Sequence, residues 1–399
     1  MASFVFENGT QTQASSLQAG DTLVFQTATP ASLDVAYAPA VGLSSATVTL
    51  TSGAQSLTFA ASALSGANTT FLAGGGSLQL GTDAANTIAV NSVGGSVAYG
   101  FAGVDTFTVS GSASHVVFGG AGDDVLDAGT ATAGANGSGV TLYGGAGADS
   151  ITGGAGNDRI YGNELTTAQG TVDGIDTINA GAGNDYVQGN AGNDIIDAGA
   201  GNDRVFGGAG NDSILGGAGN DVINGNVGND TIDGGAGNDA LRGGQGDDII
   251  TGAAGDDVIM GDLGNDTLNG GAGIDVLTGG AGADKFVFAA GDASFVTTGP
   301  QANFYDEITD FNVTDDLISL GFNGNVVQTT GATFSTVAAA QAYAQTVLTA
   351  SAVNSVVAAQ VGTATFLFFE DTGASGTIDS AIKLDGVTAT TLTDASIIA

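Results

Sequence analysis

Residues 207–224 read GGAGNDSIL GGAGNDVIN, one nine-residue unit written twice. The unit is G-G-x-G-x-D-x-U-x, with U a large apolar residue. It holds too many glycines for a helix and is too short for one. It has room for a six-residue turn followed by a three-residue strand. In such a strand the middle side chain points away from its two neighbours, so position eight faces inward while seven and nine face out. Two units on opposite sides make one coil, and successive coils pair as parallel strands about 4.8 Å apart.

Working outward from 207–224, twelve consecutive nonads run from 180 to 287 without insertion. They include GNAGNDIID at 189–197 and GGAGADKFV at 279–287. Six coils of this kind predict a rod section of roughly 29 Å. Two more nonads occupy 144–161 and one stands at 119–127. An insertion at 162–170 precedes a degenerate unit, 171–179, which keeps Asp176 and Ile178. A weaker copy at 100–108 keeps Asp105 and Phe107. In the better units position six is always Asp, and position eight is large and apolar, as at Ile151, Val187, Ile196, Ile214, Ile232, Ile250, Leu268 and Phe286. A flexible Gly/Asn/Asp spacer would not hold an apolar residue in register through twelve units.

Glycines at positions one, two and four permit backbone angles closed to other residues and let the chain approach an ion closely. Position-six aspartates from stacked turns then form columns of like charge. Only a cation makes such columns favourable. Ca²⁺ tolerates the mixture of carboxylate and carbonyl oxygens a turn offers, whereas Mg²⁺ demands a tighter octahedron and keeps its water. Composition agrees. Of 399 residues, 69 are glycine, and 41 acidic residues face five basic ones, a net charge of −36. Only four of the acids are Glu. Asp is chosen because a short carboxylate is being held at a fixed place in a turn. The charge argues against nucleic-acid and anionic-membrane partners and opposes compaction until cations neutralise it. There is no cysteine, hence neither disulfide nor thiolate site. No apolar run approaches the length of a membrane-spanning helix.

These nonads resemble the calcium-binding repeats of the RTX (repeat-in-toxin) proteins, which type I systems export. The resemblance covers about two fifths of the chain. It implies an all-β fold: a right-handed parallel β-roll (91–287, degenerate over 91–118) followed by a C-terminal β-rich cap with one helix and a secretion signal (288–399), while residues 1–90, which carry no nonads, read separately as an N-terminal β domain. It implies that each Ca²⁺ lies between neighbouring turns, held by position-six Asp and by turn carbonyls. Carried onto this chain, the carboxylate ligands are Asp124, Asp149, Asp158 and Asp176. They continue as Asp185, Asp194, Asp203, Asp212, Asp221, Asp230, Asp239, Asp248, Asp257, Asp266, Asp275 and Asp284. The glycine positions are Gly208, Gly210, Gly217, Gly219, Gly235, Gly237, Gly244 and Gly246. A site needs two stacked turns, so twelve nonads should hold about ten ions. Occupancy at the degenerate turns near Asp105 and Asp176 stays open.

The remainder fits that plan. The run YDEITDFNVTDDLISL (305–320) is similar to the segment that follows the roll in secreted RTX proteins. Residues 333–351 are expected to be helical, and 364–370 and 378–384 to be strands. The end, DASIIA (394–399), resembles the tail of a type I export signal, and residues 1–16 lack the basic and apolar regions of a conventional signal peptide. Residues 1–90 alternate polar and apolar at 22–25, 46–50 and 56–59, giving either a calcium-free continuation of the roll or a separate β-sandwich.

Enzyme chemistry finds little support. The single histidine, His115, cannot make an H-E-x-x-H zinc site, and no G-x-S-x-G nucleophile elbow is present. His115 itself reads as a strand residue. The pairs Asp315/Asp316 and Glu370/Asp371 read as turn residues or calcium ligands rather than a glycosidase pair. Position three is mostly Ala (Ala209, Ala218, Ala236, Ala272), so the Thr rank of ice-binding rolls is missing. The expected function is a secreted, calcium-folded structural protein of the bacterial surface that self-associates into a layer or fibre, no enzyme, without catalytic residues. Its expected partners are Ca²⁺, copies of itself, the type I secretion machinery and cell-surface glycan. The alternative is a monomeric adhesin or glycan-binding module.

Overall fold

A computed structural model describes residues 77–81, 84–91, 94–163, 174–289, 292, 305–320, 327–350, 355–369, 378, 380–392 and 396–398, with the backbone of six strands upstream of 77. The chain divides into two compact units, Met1–Ala200 and Gly201–Ala399. Each contains a parallel β-solenoid whose successive strands alternate between two sheets.

In the first unit one sheet runs Thr87–Val90, Thr106–Gly111, Val125–Ala131, Ser150–Ala155, Thr177–Ala182 and Ile195–Asp197. The facing sheet runs Leu78–Leu80, Val97–Ala102, Val116–Ala121, Ser138–Ala146, Asn157–Tyr161 and Tyr186–Ala191. Solenoid pairing thus begins at Leu78↔Val97 and Thr87↔Thr106, upstream of residue 91. Strands Ser3–Val5, Thr22–Phe25 and Asn68–Phe71 form a small parallel sheet, and Asp34–Ala38, Thr47–Ser52 and Gln55–Ala60 an antiparallel one. Expected strands at 22–25 and 56–59 fall within these, and that at 46–50 overlaps Thr47–Ser52 from residue 47. Most of the 162–170 insertion lies outside the described residues.

In the second unit one sheet runs Ser213–Ala218, Thr231–Ala236, Ile249–Ala254, Thr267–Ala272, Lys285–Val287, Leu317–Ser319 and Ile397–Ile398. The other runs Arg204–Ala209, Val222–Val227, Ala240–Gln245, Val258–Leu263, Val276–Ala281 and Asp306–Ile308. The register advances by two nonads per coil, as in Ile232↔Ile250 and Leu241↔Ile259.

Position eight is buried throughout: Ile151, Ile178, Val205, Ile214, Ile223, Ile250, Ile259 and Leu277 are each at most 2% exposed. Stacking β-branched and leucine side chains at the strand spacing fills the interior of the coils. The strands are longer than the three residues the unit suggested. Ser213–Ala218 covers positions seven to nine and then one to three, and Gly217↔Gly235 still pair. The reason is the left-handed backbone at position two (Gly217, φ 102°), which bends the chain yet keeps the ladder with the next coil.

The C-terminal part closes the second unit. Asp306–Ile308 pairs parallel with Ser380–Leu384, which continues antiparallel to Ala364–Phe369 and on to Val356–Val361. The helix Val337–Ala350 lays Ala340 and Ala344 against Val357, Ala359, Phe366 and Phe368. The helix and the strands Ala364–Phe369 and Ser380–Leu384 lie within the expected segments, but 333–334, expected to be helical, end the strand Val327–Phe334. Lys383 Nζ reaches Glu307 (2.7 Å) and Asp385 (2.9 Å), securing the joint.

Candidate metal centres

Each position-six Asp ends a turn and is withdrawn from solvent, at most 2% exposed from Asp105 to Asp284. Its Oδ1 accepts the backbone N–H of the position-six residue one coil earlier. In the second unit one column is Asp203, Asp221, Asp239, Asp257 and Asp275, linked by N–H···Oδ1 bonds of 2.7–2.8 Å. The other is Asp212, Asp230, Asp248, Asp266 and Asp284, at 2.8–2.9 Å. In the first unit Asp105, Asp124, Asp149, Asp176 and Asp194 form one column, and Asp158 and Asp185 belong to the opposite flank. The aspartates named from the sequence are therefore assembled as columns within each unit.

Asp306 was missed, and Asp316, which the sequence reads as a turn residue or calcium ligand, joins the columns with it. Asp275 N donates to Asp306 Oδ1 (2.8 Å) and Asp284 N to Asp316 Oδ1 (3.0 Å), so these residues extend both columns beyond the last nonad. Ile308 and Ile318, two residues on, are fully buried in the position-eight register. The D-x-I spacing in DEI and DLI was the available signal.

Sequence reasoning also missed a second ladder. At position five the side-chain Oδ1 accepts the N–H of position five in the following coil, as for Asn202 from Asn220 (2.8 Å), Asn220 from Asn238 (3.0 Å) and Asn238 from Asp256 (3.1 Å). Position five ties each coil forward while position six ties it back. The Asn rank is thus turn chemistry, with its Oδ1 atoms already engaged.

The residues fit a hard cation. The second carboxylate oxygen, Oδ2, is buried without a hydrogen-bond partner at Asp105, Asp124, Asp158, Asp221, Asp230, Asp239, Asp248, Asp257, Asp266, Asp275 and Asp306. Orphaned buried oxygens in such numbers are costly unless something positive meets them. A Cβ on position-one glycine would overlap that Oδ2, as at Gly225 against Asp230 and Gly243 against Asp248. At Gly252 the same space also approaches the Gly270 carbonyl oxygen, 2.5 Å from where a Cβ would lie. Glycine thus keeps open a cradle lined by carboxylate and carbonyl oxygens. Positions two and four, Gly208 and Gly210, Gly217 and Gly219, Gly235 and Gly237, Gly244 and Gly246, all have positive φ. Among the described residues no three Asp, Glu, His or Cys converge on a point. The oxygens lining the cradle are a carboxylate and a main-chain carbonyl, a hard mixed set that suits Ca²⁺ better than Zn²⁺.

Charge bears this out. Burial pushes Asp124 and Asp248 up to about 7, Asp230, Asp239, Asp257 and Asp266 to about 6, and Asp306 to about 8. In each the donated backbone N–H pulls the other way without prevailing. At Asp248 the carboxylates of Asp230, Asp266 and Asp247 add to the rise.

His115 stands in the column rather than outside it. Fully buried, it takes the position-six register before the strand Val116–Ala121, and its Nδ1 accepts the Ser96 N–H (3.2 Å). Ser77 N donates to Ser96 Oγ (3.1 Å), so one flank here runs Ser77, Ser96, His115 with no carboxylate.

A coiled parallel sheet whose turns present buried Asp columns and glycine cradles defines a calcium β-roll. Residues 99–131, 137–164, 171–205, 197–232, 206–241, 233–268 and 260–293 match the RTX calcium-binding nonapeptide repeat, and these segments are RTX repeats. The chain is a calcium-binding repeat protein. Among solved structures it is similar to the R3 subunit of the mannuronan C5-epimerase AlgE6 from Azotobacter vinelandii, with 29% identity over 40% of this chain and 77% of that one, TM-score 0.28. The R2 subunit of the same enzyme gives 29% identity over 41% and 89%, TM-score 0.28. The extracellular lipase LipA from Serratia marcescens gives 18% over 63% of this chain and 45% of that one, TM-score 0.22. No curated protein sequence matches the chain.

Proposed function

We propose that this is a secreted structural protein of a Gram-negative type bacterial surface, folded by extracellular Ca²⁺ and self-associating once folded, and that it carries no catalytic activity. The observation that carries the reading is the paired columns of buried position-six carboxylates, with Oδ2 atoms lacking a hydrogen-bond partner at Asp221, Asp230, Asp239, Asp248, Asp257, Asp266 and Asp275. Asp124, Asp149, Asp158 and Asp176, the run at nine-residue steps from Asp185 to Asp284, and Asp306 and Asp316 hold the ions. Turn carbonyls, including those of Gly208, Gly210, Gly217, Gly219, Gly235, Gly237, Gly244 and Gly246, complete the shells. About ten ions occupy the nonads between 180 and 287. When bound, Ca²⁺ supplies the positive charge that each column lacks.

The chain's own groups do the rest. Oδ1 of each Asp fixes coil spacing through its backbone bond, and Oδ2 makes folding depend on a cation. In a calcium-poor cytosol a net charge of −36 keeps the chain open for type I export, and millimolar calcium outside converts binding energy into folding energy. Residues 1–90 serve as the joint between copies or to surface glycan, and residues 288–399 as cap and export segment.

Negative-stain microscopy with light scattering, before and after Ca²⁺ at ~1 mM, tests this. Ordered sheets or filaments that dissolve in chelator are expected. A compact monomer at every calcium level refutes self-association, and a far-ultraviolet spectrum indifferent to chelator refutes calcium-driven folding.

A further inference from the structure

The two sheet faces of the unit Gly201–Ala399 share one backbone and differ in what they display. On the face of Ser213–Ala218 and its neighbours, position two is Gly217, Gly235, Ala253 and Gly271, and position three is Ala218, Ala236, Ala254 and Ala272. On the opposite face position two alternates Gly208, Asn226, Gly244, Asp262 and Gly280, and position three reads Ala209, Val227, Gln245, Leu263 and Ala281.

Asn226 and Asp262 have φ of 80° and 79°, in the left-handed region where the repeat otherwise uses glycine. Asn and Asp are the side chains that enter this region at least cost, and Ala253 shows that the backbone tolerates substitution. Tolerance does not account for polar groups on one face alone. Backbone strain of this kind points to a use for the side chain.

That use is visible in the space between them. Gly244, bare of a side chain, leaves a gap between Asn226 and Asp262, and the gap opens into a surface groove of about 480 Å³. Its polar wall is Asn224, Asn226, Arg242, Gln245 and Asp262, and its apolar edge is Val227 and Leu263. The wall is pre-set. Arg242 Nε and Nη2 both donate to Asp262, the latter at 3.2 Å to Oδ1. Asn226 N donates to Asn224 Oδ1 (3.1 Å) and Asn226 Nδ2 to the Asn224 carbonyl (3.3 Å).

The chemistry selects the occupant. Arg242 and Asp262 cancel, so the groove has no net charge to draw an ion, and a chain of −36 stays acidic even with about ten Ca²⁺ bound and so repels polyanions. What remains is a row of planar amide, guanidinium and carboxylate groups presenting donors and acceptors in pairs, the pattern that adjacent hydroxyls satisfy. Val227 (46% exposed) and Leu263 (54%) offer a surface for C–H faces. Its volume suits a few linked rings.

We propose that this groove binds a segment of a neutral, hydroxyl-rich saccharide chain. The inference rests on the calcium-folded roll, because the groove exists only where coils are stacked. It adds a glycan contact on the roll itself, apart from residues 1–90.

The test is calorimetric titration of the full chain in calcium with cellohexaose, mannohexaose and maltohexaose, and with hexagalacturonate as the acidic comparison. Circular dichroism on the same samples reports folding. At least one neutral hexasaccharide binds. Asn226→Gly and Asp262→Gly each weaken it about tenfold, the loss of one or two good hydrogen bonds. Both variants melt no lower than the parent, because glycine relieves the left-handed strain. A folded roll that binds none of the three overturns the groove and leaves calcium folding intact. Affinity unchanged in both variants, or tighter binding of hexagalacturonate, also overturns it. A chain that gains no β structure with calcium sinks both readings.

Discussion

The coils between 77 and 131 and those between 201 and 287 both pair in parallel around a buried apolar residue, at steps of 19 residues (Leu78↔Val97) and 18 (Ile232↔Ile250), yet hold their turns differently. In the later coils both flanks are Asp columns. In the earlier ones a single flank is (Asp105, Asp124), while the other is Ser77, Ser96 and His115. On that same sheet a row of rings stacks along the coils: Tyr99 on Phe118 at 4.6 Å, Phe118 on Tyr143 at 4.7 Å and Tyr143 on Tyr161 at 4.8 Å, all within 6° of parallel. Coil spacing can therefore be set by neutral hydrogen bonds and aromatic stacking, or by carboxylates that require a cation. One backbone accommodates both.

Calcium removal should separate the two most strongly. Without a cation the later coils keep two columns of buried like charge, and their parallel strands should lose hydrogen-exchange protection by several kcal/mol, the scale of a unit's whole stability. Val97–Ala102 and Val116–Ala121, on the neutral flank, should retain measurably more. Equal loss in both regions on adding chelator would break the comparison.

Acid should partly replace calcium. Folded-state values of about 6 to 8 at Asp230, Asp248, Asp275 and Asp306 lie above the unfolded value near 3.9, so the folded chain binds these protons more tightly. That stabilisation is complete below about pH 4 and is lost as pH rises through the folded values. The metal-free roll should therefore melt higher at pH 4.5 than at pH 8, while the calcium affinity falls with acid as protons compete. A calcium-free melting temperature that rises with pH would reverse the sign and refute the burial argument.

The repeat region was legible because its information is local and redundant. Every nonad states its turn, its inward residue and its carboxylate, so the solenoid, the core and the Asp columns follow from period and pleat. Legibility failed where the spacing failed. Asp306 and Asp316 belong to the columns but follow irregular turns, 31 and 32 residues after the partners they cap. His115 looked like an ordinary strand residue because nothing local shows that Ser96, 19 residues earlier, donates to it. The position-five ladder was hidden because Asn in a tight turn already has a sufficient local reason. The groove at Gly244 needed three coils side by side, a relation the linear sequence does not display.

A single substitution sharpens the contrast further. Asp248→Asn keeps an oxygen to accept the Asp230 N–H but removes the charge. In calcium the variant should lose about 1–3 kcal/mol with the charge-assisted contact. In chelator at pH 8 it should be more stable than the parent, because an unpaired buried charge has gone. Paired melts with and without calcium read both signs. Destabilisation in both conditions would mean that the carboxylate matters for packing alone.

The smallest effect is expected on the ring row, and its sign pattern is what matters. Tyr143→Ala removes two stacked contacts, each contributing about 0.5–1.5 kcal/mol beyond burial, from rings that are only half-buried. No carboxylate or cradle is touched. The loss should be the same with calcium and with chelator, in contrast to the reversal at Asp248. Hydrogen exchange over Val116–Ala121 and Asn157–Tyr161, measured in both conditions, resolves a change of that size. If the Tyr143 loss appeared only in calcium, the rings would be a consequence of the calcium-bound fold. If it appears equally in both, they hold the early coils together on their own.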